Sequence, residues 1–116
     1  MRSSSSKKLR SLSIPDKVKS ALIDFTYEVR RRYPDAKIYL FGSYAKNTWL
    51  KDSDVDVIVV SNGFSDTDFY LRPNILRKLA RKDVPFEIFA YTFEEFNRVK
   101  RKSVVIQDAM SYWIEI

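Results

Sequence analysis

Two short stretches hold residues whose types and spacing suit chemistry. The first is Gly42-Ser43, followed by Tyr44-Ala45-Lys46. Glycine lets the backbone approach a ligand closely, and a strand turning into a helix would present N–H groups, the Ser43 hydroxyl and a positive dipole end to a phosphate. A plain turn is the other reading of Gly-Ser. The second stretch is Asp54-Val55-Asp56. Side chains alternate along a strand, so Asp54 and Asp56 would share one face while Val55, Val57 and Val59 point into the core. Two adjacent like charges repel, and a shared cation relieves them. At a solvated strand end the pair is harmless, which is the competing reading. A third acid, Glu87, interrupts the apolar run Val84-Pro85-Phe86-Glu87-Ile88-Phe89. A carboxylate there is costly unless paired or bound to metal. If its strand neighbours the aspartate strand, Glu87 joins Asp54 and Asp56; otherwise Arg81 or Lys82 offers an ion pair. Three carboxylates can hold two Mg²⁺ ions and so stabilise both the attacking and the leaving oxygen of phosphoryl transfer. The Gly-Ser corner would hold the triphosphate.

What the chain lacks narrows the chemistry. Its 116 residues include no Cys and no His. Disulfides, thiolate nucleophiles, Cys- or His-ligated zinc and His-based triads are therefore excluded. Any metal must be held by oxygen, which favours Mg²⁺ or Mn²⁺. Proton transfer falls to Asp, Glu, Lys or Tyr.

The elements that must position these residues follow from local patterns. Ser13, Pro15 and Asp16 read as a helix start, and Val18, Ala21, Leu22, Phe25 and Val29 form an apolar stripe behind them. Pro34 ends that helix, with Arg30, Arg31 and Arg32 in its last turn, where cations are favoured. Strands are expected over 36–41, 54–60 and 85–91, and a helix over 73–81. Thr92 and Glu95 make a capping box for a further helix that ends in a Lys/Arg cluster. A short helix over 104–110 follows, and 112–116 reads as a strand or an apolar plug. One small mixed sheet flanked by helices, an α/β (α+β) architecture, is the economical outcome.

Length allows a single domain over 13–116 behind a loose, basic, Ser- and Lys-rich tail over 1–12. A hydrophobic fraction of 45% is enough for one core. No apolar run approaches the roughly 20 residues of a membrane span, and the N-terminus does not read as a signal peptide. A cytoplasmic location is expected. The formal net charge of +6 attracts nucleotides, nucleic acids or acidic proteins without choosing among them.

Gly42-Ser43, ten intervening residues, then Asp54-Val55-Asp56 resembles the signature of the DNA-polymerase-β-like nucleotidyltransferase superfamily. The flanking Leu40-Phe41 and Asp52-Ser53 fit its minimal prokaryotic branch, and the likeness covers most of residues 15–110. The resemblance implies the polymerase-β-like fold, with Asp54 and Asp56 as metal ligands and Glu87 as third carboxylate, ligand or base. Gly42, Ser43 and Lys46 would bind the nucleotide. It implies an Mg²⁺-dependent enzyme that moves a nucleoside monophosphate, AMP from ATP being favoured, onto an acceptor. Many minimal members are antitoxins of HEPN-domain ribonucleases, and in characterised systems AMP is transferred to a tyrosine of the toxin. A HEPN-type partner is therefore expected, or a homo-oligomer, since so short a domain has little surface to enclose an acceptor. Two positions depart from the pattern: Lys46-Asn47 stands where many relatives have Arg-Gly, and Glu87 where most have Asp.

Other readings remain open at this level. The same fold could neutralise a partner by covering it, using Tyr112 and Trp113. The basic runs Arg77, Lys78, Arg81, Lys82 and Arg98, Lys100, Arg101, Lys102 could track RNA, although solvated helix faces are the commoner origin of such runs.

Overall fold

The computed structural model describes residues 9–116. The first eight residues of the expected basic tail lie outside that range; of the rest, Leu9 is buried and Leu12 packs on the core.

Helix α1 spans Asp16–Arg32. Its N-cap is Pro15, with no side-chain capping bond, so Ser13 does not serve as the cap. The expected stripe is its inner face: Val18, Ala21, Leu22, Phe25 and Val29 are buried. Strand β1 covers Lys37–Phe41 and runs directly into α2, the five-residue helix Gly42–Lys46. Strand β2 is Val55–Val60. Two 3-10 turns, Asn62–Phe64 and Phe69–Leu71, lead to α3, Arg72–Arg77. The expected helix over 73–81 stops early because its continuation tightens into turns, with Leu79 and Ala80 donating three residues back to Leu76 and Arg77. Strand β3 is Phe86–Tyr91. The capping box forms as read, with Thr92 and Glu95 opening α4 over Phe93–Lys102. Ser103 caps α5, Val104–Met110, and a two-residue strand β4, Ile114–Glu115, resolves the choice between strand and plug.

The sheet order is β3-β2-β1-β4. The β1–β2 and β1–β4 pairs are antiparallel and the β2–β3 pair is parallel, giving a mixed sheet. The parallel pair explains why β2 is apolar on both faces: the connection through α3 covers one side and α4 returns over the other. Val55, Val57 and Val59 pack with α1 and with Leu76 of α3. Ile58 and Val60 face the opposite way, against Phe96 of α4 and Ile106 and Ala109 of α5. The sheet is thus the shared wall between two apolar clusters, and its helix-covered faces hold β2 in place.

Candidate active site

Register brings the chemistry to one end of the sheet. Asp56 pairs with Phe41, the last residue of β1, and with Glu87 on the parallel strand β3. Directly opposed residues share a face, so the Asp56 and Glu87 carboxylates project side by side. Asp54 stands one residue ahead of β2 and is exposed.

Gly42 brings the backbone up to this pair. Its φ is +71°, in the left-handed region, and a Cβ built there would lie 2.0 Å from Asp56 Oδ2. Only glycine permits both the turn and the close approach. At the far end of α2, Asn47 is also left-handed, with φ 61°, and closes the helix by donating its N–H to the Ser43 carbonyl. Asparagine tolerates this conformation, so the turn survives without the glycine that many relatives carry there. The loop between α2 and β2 is pinned by Tyr44. Its buried ring stacks on Trp49, and its hydroxyl donates to the Ser53 carbonyl across 3.3 Å. Ser53 Oγ in turn accepts from the Leu50 N–H at 2.7 Å. Asp54 is therefore presented from an anchored turn.

The electrostatics at this end are one-sided. The Asp56 carboxyl is pushed up to about 7, first by burial, then by the charge of Glu87, a hydrogen bond with Glu87 and the charge of Asp54. Burial and the charges of Asp52 and Asp54 also raise the Tyr44 phenol. Among the described residues no ion pair reaches Asp54, Asp56 or Glu87. Arg81, the plain partner considered for Glu87, binds Asp83 instead, at 2.9 and 3.1 Å.

As the side chains stand, no group of three or more acids among the described residues is drawn together closely enough to hold a metal ion. The structure unites Asp56 with Glu87 and leaves Asp54 at the margin. The donor set nonetheless fits a hard divalent cation: oxygen atoms only, uncompensated negative charge and a glycine cradle that leaves Asp56 Oδ2 uncovered by any side chain from that position.

The proposed triphosphate corner is more engaged than its sequence implies. The Gly42 N–H donates to the Tyr112 hydroxyl at 3.2 Å, and Lys46 Nζ sits 4.6 Å above the centre of the Tyr112 ring. Ser43 is half-buried. Tyr112 is thus a site residue that sequence reasoning considered only as interface or core. Seventy positions separate it from Gly42, and no local pattern links the two. The basic run on and after α3 lies elsewhere. Arg77, Lys78, Arg81 and Lys82 line a cavity of about 680 Å³ with Val84, Pro85 and Phe86.

A family model for the nucleotidyltransferase domain matches residues 22–112. The chain belongs to the nucleotidyltransferase domain family. The matched span contains every residue of the site just described. Within this family of enzymes, the chain is 32% identical over 80 residues to a Haemophilus influenzae protein named "Probable protein adenylyltransferase MntA", covering 65% of this chain and 68% of that one. Solved structures share the fold. One from Sulfolobus solfataricus, provisionally named a nucleotidyltransferase, superposes with a TM-score of 0.53 at 20% identity, covering 89% of this chain and 87% of its own. A toxin–antitoxin structure with AMP-PNP gives a TM-score of 0.52 at 19% identity, with coverages of 79% and 68%. The nucleotidyltransferase is therefore an enzyme of the minimal type, and transfer of a nucleoside monophosphate is its chemistry. No helix among the described residues is long and apolar enough to cross a membrane.

Proposed function

We propose that this nucleotidyltransferase moves AMP from ATP onto a hydroxyl of a protein acceptor, in a complex with a HEPN-type toxin that it neutralises. The observation that carries the transferase site is the Asp56–Glu87 pair set against the left-handed Gly42. Support for a protein acceptor comes from the name of the Haemophilus relative, and for a toxin partner from the toxin–antitoxin structure of like fold.

Asp54, Asp56 and Glu87 would hold Mg²⁺, two ions in the fullest case, with Mn²⁺ as substitute. Bound there, the cations would supply charge neutralisation on the reacting phosphate oxygens. The chain's own residues do the rest. Gly42 and Ser43 orient the phosphates through the backbone N–H and the hydroxyl, and Lys46 adds positive charge. The acceptor oxygen forms a bond to the α-phosphorus, the bond to the bridging oxygen breaks, and pyrophosphate leaves. The hydroxyl proton passes to a carboxylate, for which Glu87 is placed beside Asp56. Positioning and charge suffice for such a transfer.

The test is incubation with Mg²⁺, ATP labelled at the α-phosphate and source-cell lysate, with Asp56→Ala in parallel. The expected result is a labelled protein band that falls by more than about a hundredfold in the variant. Equal labelling by the variant, or no binding of Mg²⁺ and nucleotide by either protein, would overturn the reading.

A further inference from the structure

We propose that Tyr112 is a built-in competitor for the nucleotide: its side chain occupies the phosphate contacts of Gly42 and Lys46 and must swing away for the triphosphate to bind. The inference rests on the assignment of Gly42, Ser43 and Lys46 to the triphosphate.

The geometry singles out this residue. One side chain engages two of the three groups assigned to the phosphates. Its hydroxyl accepts the Gly42 N–H at 3.2 Å, and its ring lies 4.6 Å beneath the Lys46 ammonium. A backbone N–H makes one strong hydrogen bond, so a phosphate oxygen and the Tyr112 hydroxyl exclude one another there. Lys46 likewise trades the ring face for a phosphate.

The backbone of Tyr112 is held independently of its side chain. Its N–H bonds to Ala109 at 3.1 Å, and the next residue, Trp113, bonds to Ala109 at 2.7 Å. Trp113 then stacks on Tyr39 and Phe96, with ring centres 4.4 and 5.7 Å away. Rotation of one half-buried side chain therefore opens the corner, and neither α5 nor β4 has to move.

Tyr112→Phe separates the contacts, because it keeps the ring under Lys46 and deletes the hydroxyl. The chain holds only two glycines, Gly42 and Gly63. Labelling glycine with ¹⁵N therefore gives two amide signals, and Gly63, bonded to Ser61 Oγ, serves as internal reference. The expected results are a Gly42 amide shift in Tyr112→Phe without nucleotide, and affinity for ATP with Mg²⁺ about fivefold tighter than wild type, equivalent to one net hydrogen bond. Tyr112→Ala, which also frees Lys46, should bind more tightly still. Affinity unchanged in Tyr112→Phe would overturn the proposal. Weaker affinity would overturn it differently, by making the hydroxyl a ligand of the nucleotide. If wild type and both variants bind no nucleotide, the triphosphate assignment itself fails and the competitor falls with it. Binding by the variants alone would be the strongest support.

Discussion

At the scale of single residues, the candidate site was legible in part: the sequence pointed to the Asp56–Glu87 pair and to Gly42, which the structure sets together. Strand alternation predicts Asp54 on the face of Asp56, but Asp54 stands exposed just ahead of β2, at the margin of the Asp56–Glu87 pair that the lone acid in an apolar run pointed to. Two facts were not legible. Asn47 keeps a left-handed turn, which depends on a backbone angle rather than on composition. Tyr112 reaches Gly42 only because α5 folds back over the sheet. Gly42→Ala should destabilise the protein by about 2 kcal/mol or more, since the new methyl group meets both an unfavourable φ and Asp56; chemical denaturation measures this, and transferase activity should vanish with it. Asp56 gives a pH signature. Its pKa is raised from 3.8 to about 7 in the folded state, so between those values the native protein holds a proton that the unfolded chain has released. The stability this contributes is complete below pH 3.8 and is lost as pH rises towards 7. With divalent cations chelated, Asp56→Asn should therefore raise the melting temperature at pH 8 by about 3 °C and change it little at pH 4.

At the scale of elements, periodicity gave α1, the three longer strands and the capping box of α4. It overran α3, because the apolar Leu79 and Ala80 continue the helical spacing while their backbone closes in three-residue turns. It also passed over Arg72, which is buried and holds α3 to α4. Its guanidinium donates to both Glu95 oxygens, at 2.6 and 3.3 Å, and to the carbonyls of Thr67 and Ala90. An arginine beside Pro73 looks like an ordinary exposed helix residue, and only the cap across the sheet reveals its partner. Arg72→Met should cost about 3 kcal/mol, more than the roughly 1 kcal/mol expected of Thr92→Ala, because it leaves Glu95 with only its Thr92 hydrogen bond and takes the donor from two carbonyls. Equilibrium urea unfolding ranks the two. The hydrogen bonds to Arg72 lower the Glu95 pKa. That contribution to stability is present above the ordinary glutamate range and fades as pH falls through the depressed value, and Arg72→Met should weaken the dependence, leaving the part that the Thr92 hydrogen bonds supply.

At the scale of the whole molecule, one sheet separates two apolar clusters, and the chain supplies one tryptophan to each. Trp49 packs against the α1 side and Trp113 against the α4–α5 side. If the shared wall makes them one cooperative unit, Trp49→Phe and Trp113→Phe should show fluorescence transitions at matching denaturant concentrations once corrected for their stability differences. Two separated midpoints would mean that the clusters melt apart. The fold class was readable because α1, the valine strand and the capped helix leave few ways to cover a small sheet. Strand order was not, because it is fixed by pairings such as Ile114 with Leu40, seventy-four positions apart. The shared proton at Asp56 has an outward consequence as well. With its pKa raised to about 7, that carboxyl still holds proton near neutral pH, and a cation bound there has to expel it into the solvent. Loading the site should thus acidify the medium. Titration calorimetry in buffers of different ionisation enthalpy should return different apparent heats near neutral pH, and the difference should shrink towards zero at pH 9.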